Sequence, residues 1–133
     1  MTNLTLDQAQ KIVAAALAKS TEIGSASSVA VLDSGRELLA YARQDGAMLA
    51  SVEISQNKAY TAVSMKSETA DLGPAAQPGA AFYGIQQATS RPFITFGGGV
   101  PIVVDGEVIG AIGVAGGSAD QDVEVAKAGA AAN

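Results

Sequence analysis

The chain has 133 residues, of which 48% are hydrophobic and 16% charged, and its net charge is −5. That length and composition suit one domain with a real core and exclude a disordered chain. The chain has no cysteine and no histidine, which excludes disulfides, thiolate metal sites, cysteine nucleophiles and Ser-His-Asp triads, and removes the commonest metal and haem ligand.

Aromatic residues make up 5% and tryptophan is absent, so the core must be built from Ala, Val, Ile and Leu. Lys and Arg form no cluster, which argues against nucleic acid as a partner. The first residues lack a charged-then-apolar leader pattern, and Gly, Asp or Pro interrupt the apolar runs before they could span a bilayer. No membrane partner is expected, and the expected location is the cytoplasm.

In chain order, the first element is a helix. Thr5 is its N-cap, Gln8 completes a capping box, and Leu6, Ala9, Val13, Ala16 and Leu17 recur at helical spacing. Gly24 supplies a stop. A hairpin follows, with strands at 28–33 and 37–43 around the turn residues Asp33-Ser34-Gly35-Arg36. A long helix is predicted from Leu49 to Met65. The stretch from Ser67 to Pro92 is irregular, with a short helical piece at Glu68–Leu72 and another opened by Pro78. Three strands are predicted at 93–97, 100–104 and 107–115, the first broken by Gly97-Gly98-Gly99 and the last two joined by Asp105-Gly106. Ser118 and Gln121 then cap a final helix whose first turn carries Asp120 and Asp122. The expected fold class is α+β: one layered domain over 1–133, with a five-stranded antiparallel sheet flanked by helices, in the order helix, two strands, helices, three strands, helix.

Three side chains stand out for chemistry. Arg43 and Asp45 lie at the strand-to-helix corner, and Lys58 lies on the helix that follows. The residues four before and four after Lys58 are Ile54 and Ala62, so it has no helical ion-pair partner; Asp45 is the partner considered for it. Two readings stand side by side: a pocket in which Arg43 binds an anion or carbonyl while Lys58 or Asp45 moves a proton, or an ion pair that merely fixes the corner. The run Gly97, Gly98, Gly99 costs chain entropy and needs a reason. That reason is either a ligand approaching bare backbone or close packing of protein on protein. Gly116-Gly117-Ser118 reads as a plain helix cap, since the acids of the first turn would repel a phosphate. No metal site is expected, because Asp120 and Asp122 diverge on a helix.

Several segments, in order along nearly the whole chain, are similar to the GlcG/HbpS (haem-degrading) family, which includes the C-terminal domain of PduO-type adenosyltransferases. They are Val31-Leu32-Asp33-Ser34-Gly35, Arg43-Gln44-Asp45-Gly46-Ala47, Asn57-Lys58-Ala59-Tyr60-Thr61-Ala62, Phe96-Gly97-Gly98-Gly99-Val100-Pro101-Ile102, and Asp105-Gly106 through Gly110–Gly117 to Asp120-Gln121-Asp122. The resemblance implies a five-stranded antiparallel sheet with flanking helices and homo-oligomeric assembly. It also implies haem as a ligand in some members. Without histidine, the iron donors open to this chain are Met48, Met65, Tyr41, Tyr60, Tyr83, a lysine or a hydroxyl such as that of Thr95.

Two main functions follow as expectations. The first is a homo-oligomeric protein that binds a small molecule, haem or another tetrapyrrole by resemblance, with Arg43 and Gly97, Gly98 and Gly99 as ligand contacts. The second is a cofactor-free isomerase, hydratase or lyase for a small oxygenated substrate, with Lys58 and Asp45 as its proton-moving groups. A purely structural assembly unit is the third reading, suggested by the Ala-rich helices.

Overall fold

The computed structural model of the chain describes residues 3–133. The first helix, α1, spans Leu6–Glu22. Thr5 caps it as the sequence predicts: the Thr5 hydroxyl accepts from the Gln8 N–H at 3.1 Å, and the Gln8 side chain accepts from the Thr5 N–H at 2.9 Å. Gly24, at φ +74°, closes it, and the Ser25 N–H turns back to the Ser20 carbonyl at 2.9 Å.

Strands β1 (Ser28–Asp33) and β2 (Leu38–Arg43) form the first hairpin. The Asp33 carboxylate holds its turn by accepting from the N–H groups of Gly35 and Glu37. Arg36 sits in the left-handed region there, at φ +68°. Helix α2 follows at Ala50–Met65, then the one-turn α3 at Thr69–Leu72. Two 3-10 turns follow, at Pro74–Ala76 and Ile85–Gln87, and only the second falls within the helix expected to open at Pro78. Strands β3 (Gly99–Val104) and β4 (Glu107–Ala115) form the second hairpin, around Asp105 and Gly106 at φ +51° and +78°. Helix α4, Ala119–Ala130, begins with the Ser118–Gln121 capping box.

The sheet has four strands in the order β2-β1-β4-β3, with every neighbouring pair antiparallel. This corrects the five-stranded expectation: the segment 93–97 is not a strand. Pro92 has no N–H to give. The Ile94 N–H goes to the Thr61 hydroxyl on α2, at 2.9 Å, rather than to a strand carbonyl. Gly98, at φ +129°, then turns the chain so that pairing with β4 is registered from Gly99. Ile94-Thr95-Phe96 gave 93–97 the look of a strand, but the segment is tied across a helix instead.

Alternation along β1 shows the layering. Val29 and Val31 face α1 and α4, in a core with Ile12, Ala16, Ile112, Val114 and Val125. Ala30 and Leu32 face α2, with Ala59, Ala62, Val63 and Ala111. The face toward α2 is paved with small residues, so that helix lies close to the sheet: a side chain at Gly113 would strike the backbone of Ser55 and Ala59. Among the described residues, no helix is long and apolar enough to cross a membrane.

Candidate functional site: two clusters on one helix

Helix α2 presents one cluster inward and one outward. The inward cluster is built on Lys58, a side chain shut away from solvent. Its ammonium donates to the Val114 carbonyl at the end of β4, at 2.7 Å, and to Asp122 Oδ2 in the first turn of α4, at 2.9 Å. It also lies 5.1 Å from the centroid of the Phe96 ring. The second oxygen of Asp122 accepts from the Gly117 N–H at 3.0 Å. One buried ion pair therefore joins α2, β4, α4 and the loop between the last two.

The glycine run makes room for this pair. A Cβ at Gly98 would stand 2.6 Å from the Lys58 ammonium nitrogen and 2.5 Å from the Val114 carbonyl oxygen. A Cβ at Gly99 would stand 2.5 Å from the Lys58 carbonyl oxygen, and one at Gly97 would overlap Val123. The Gly99 N–H donates to the Thr69 hydroxyl at 2.8 Å. The space beside these glycines is filled by the protein's own lysine, threonine and helix backbone. Burial pushes the Lys58 pKa below its ordinary value, and the hydrogen bond and charge of Asp122 oppose that shift.

Of the residues singled out from the sequence, Lys58 and Gly97, Gly98 and Gly99 meet in this buried cluster. Arg43 and Asp45 do not: both are exposed, at the end of β2 and in the turn after it. Neither forms an ion pair among the described residues. Between them Gln44 points inward, where its carbonyl oxygen accepts from the Ser27 N–H and the Ser20 hydroxyl, both at 2.8 Å. That anchor turns its two neighbours outward.

Sequence reasoning missed Asp122 as the partner of Lys58. A signal was present: Asp122, Val125, Ala126 and Gly129 stand at helical spacing, and all four are buried. An acid on the apolar face of a helix needs a buried cation.

The outward cluster centres on Tyr60, two residues further along α2. The Arg36 guanidinium reaches from the first hairpin turn to within 5.0 Å of the ring centroid, and donates to the Tyr60 hydroxyl at 3.2 Å and to Ser64 at 3.4 Å. From the irregular segment, the Arg91 guanidinium lies 4.2 Å from the same centroid, and its Nε donates to Asn57 Oδ1 at 3.0 Å. Phe93 stacks on Tyr60 with centroids 5.9 Å apart. Among the described residues, no carboxylate pairs with either arginine. The arrangement is a partly exposed tyrosine ring with two guanidiniums and a second ring against it.

With this geometry in place, likeness to known proteins is informative. Residues 4–131 match the family described as haem degrading protein HbpS-like. An uncharacterised 15.0 kDa protein of Citrobacter freundii is 42% identical over 119 residues, covering 90% of this chain and 84% of its own length. The corrinoid adenosyltransferase PduO of the same organism is 33% identical across 98% of this chain, but the match spans only 39% of that protein. Among solved structures, the Klebsiella pneumoniae protein ORFY is 39% identical and superposes with a TM-score of 0.96, over 99% of this chain and 92% of its own. The PduOC:Heme complex is 33% identical, with a TM-score of 0.95 over 99% of this chain and 96% of its own. The resemblance carried by the ordered motifs is borne out, and the chain belongs to the haem degrading protein HbpS-like family.

Proposed function

We propose that this chain is a homo-oligomeric binding protein for a small ligand of the haem or tetrapyrrole class, held by apolar surface and charge rather than by histidine. The observation that carries the reading is the corner after β2. There Met48 and Leu49 are 59% and 79% exposed, a few residues from the exposed Arg43. Large apolar side chains kept in water beside a cation suit a flat apolar body that bears carboxylates. The haem complex of the PduOC neighbour supports the same ligand class. In this reading Arg43 holds a carboxylate and Asp45 stands on the rim.

The donor set limits how iron would be held. Tyr41 shares its hydroxyl with Ser28 at 2.9 Å, Tyr60 is engaged by Arg36, and Lys58 is committed to Asp122. Met48, Met65 and Tyr83 remain exposed. These residues fit a porphyrin held by its face and carboxylates, with a thioether or phenol as the available iron donor.

Assembly is supported by β2, whose outer edge has no neighbour in the sheet among the described residues. Beside that edge a groove of about 290 Å³ is lined by Leu6, Val13, Leu17, Leu39 and Tyr41. The enzymatic alternative, an isomerase, hydratase or lyase, would need Lys58 or Asp45 to meet a substrate. Lys58 is enclosed, with two of its three N–H donors held by Val114 and Asp122, which favours binding over catalysis.

Titration of the protein with haemin tests the reading. The expected result is a saturable Soret band that Leu49→Asp and Arg43→Ala each weaken, together with a mass by light scattering above that of one chain. A linear, unsaturable haemin response, or one that neither variant changes, would overturn the binding claim. A single-chain mass at micromolar concentration would overturn the assembly claim.

A further inference from the structure

We infer that Arg36 and Arg91, held over the ring of Tyr60, form a recognition site for a small organic carboxylate, separate from the β2–α2 corner and independent of whether haem binds. The chain has three arginines, and two of them converge on one tyrosine. Each guanidinium lies within 5.0 Å of the ring centroid, so the two are at most about 10 Å apart. The protein carries 13 acidic side chains against eight basic ones, yet none of the described acids pairs with either arginine. The two acids nearest Arg36 in sequence, Glu37 and Asp33, form no ion pair with it, and one oxygen of the Asp33 carboxylate accepts from the N–H groups of Gly35 and Glu37.

Two like charges at this range repel, and a bound anion between them would remove that cost. The arginines are also fixed before any ligand arrives. Arg91 is tied to the buried Asn57 and to the Gln56 carbonyl, and Arg36 to Tyr60 and Ser64. These contacts use one edge of each fork. Nη1 of Arg91 and Nη2 of Arg36 have no protein acceptor among the described residues and are left to donate outward. The rings of Tyr60 and Phe93 stand beside them, so the fit is a carboxylate carried on a carbon body rather than an inorganic anion.

The test is a titration of the ¹⁵N-labelled full chain with succinate, followed through the three arginine Nε–Hε signals and assigned with Arg36→Gln, Arg91→Gln and Arg43→Gln. Sodium chloride at matched ionic strength is the control. The expected result is a saturable shift of the Arg36 and Arg91 signals with Arg43 unmoved, and at least a tenfold loss of succinate affinity in Arg91→Gln, whose amide spectrum stays native. Equal shifts of all three signals, or none, would overturn the site. Tighter binding of inorganic phosphate than of succinate would overturn the ligand class. Arg36 and Arg91 signals that move with protein concentration and not with succinate would assign the cluster to contact with a second copy, which also overturns it. Leu49→Asp and Arg43→Ala read the β2–α2 corner in the haemin titration, and Arg91→Gln reads this site in the succinate titration, so failure of one proposal leaves the other standing.

Discussion

Lys58 and Tyr60 stand two residues apart on α2, and each holds a positive charge in an opposite way. Around Lys58 the cation is sealed from water, given an acid at 2.9 Å and a carbonyl at 2.7 Å, and packed against glycines. Around Tyr60 two cations lie on a ring, reach solvent and have no acid among the described residues. A buried charge must be answered inside the protein, because desolvation costs several kcal/mol per ion. A charge at the surface need not be answered, and is left available for something else. The first cluster therefore reads as the joint that fixes α4 to α2, and the second as a surface for recognition.

The sharpest way to break this contrast is to remove one half of the joint. Asp122→Ala leaves an ammonium buried without its acid and the Gly117 N–H without its acceptor. The expected loss is about 3–5 kcal/mol in urea unfolding. Replacing both partners with apolar residues, Lys58→Met with Asp122→Leu, should recover much of that loss, since no orphaned charge remains. If Asp122→Ala costs less than about 1 kcal/mol, the pair is not a joint.

The glycine cradle is the next largest effect. Gly98→Ala forces a side chain into φ +129° and drives its Cβ against Val114 and Lys58. About 1–3 kcal/mol of backbone strain is expected, with the clash in addition. Gly106→Ala, at φ +78° in an open turn with nothing within 4 Å, should cost about 1 kcal/mol. Thermal unfolding of the two variants separates a position that needs glycine for its backbone from one that also needs it for space.

A pH comparison sharpens the same joint by a smaller amount. Burial lowers the folded-state pKa of Lys58 below the ordinary value of 10.5. Between that lowered value and 10.5, the unfolded chain binds more protons than the folded one, so stability rises with pH across the window. Below the window both states are protonated and the full penalty of burying the charge is present. Relative to Lys58→Met, the wild type should therefore gain stability as pH climbs toward 10.5. A difference that stays flat across that range would mean that Asp122 cancels the desolvation.

How much of this was legible beforehand differs by element. The capping boxes at Thr5 and Ser118 and the Asp105-Gly106 turn are local signals, and each stands where the sequence puts it. The fifth strand misled because Ile94-Thr95-Phe96 looks like a strand, while the partner that takes its hydrogen bond, Thr61, lies 33 residues away on a helix. Lys58 drew notice for lacking a helical partner, but its acid lies 64 residues on. Asp122 reads as a first-turn charge, although its helical spacing with Val125, Ala126 and Gly129 already places it on the apolar face of α4. Arg43 and Asp45 were conspicuous by position, whereas Arg91 lay in a segment with no periodicity to place it. Local chemistry is written along the chain; a cluster gathered from three distant segments is not.

The smallest expected effect tests the outward cluster. Arg91→Gln removes a guanidinium from Tyr60 but keeps an amide able to reach Asn57. No ion pair is lost, because none is present among the described residues. What is lost is a cation–π contact at a partly exposed site, of about 0.5–1 kcal/mol. What is gained is relief from the repulsion between two unneutralised arginines. The two terms oppose, so urea unfolding should differ from wild type by no more than about 0.5 kcal/mol. Raising the salt concentration should move the difference toward a net loss for the variant, since screening weakens the repulsion that Arg91→Gln relieves. A loss of 2 kcal/mol or more would mean that Arg91 holds the irregular segment onto α2 as firmly as Asp122 holds α4. The two sides of the helix would then differ in exposure but not in purpose.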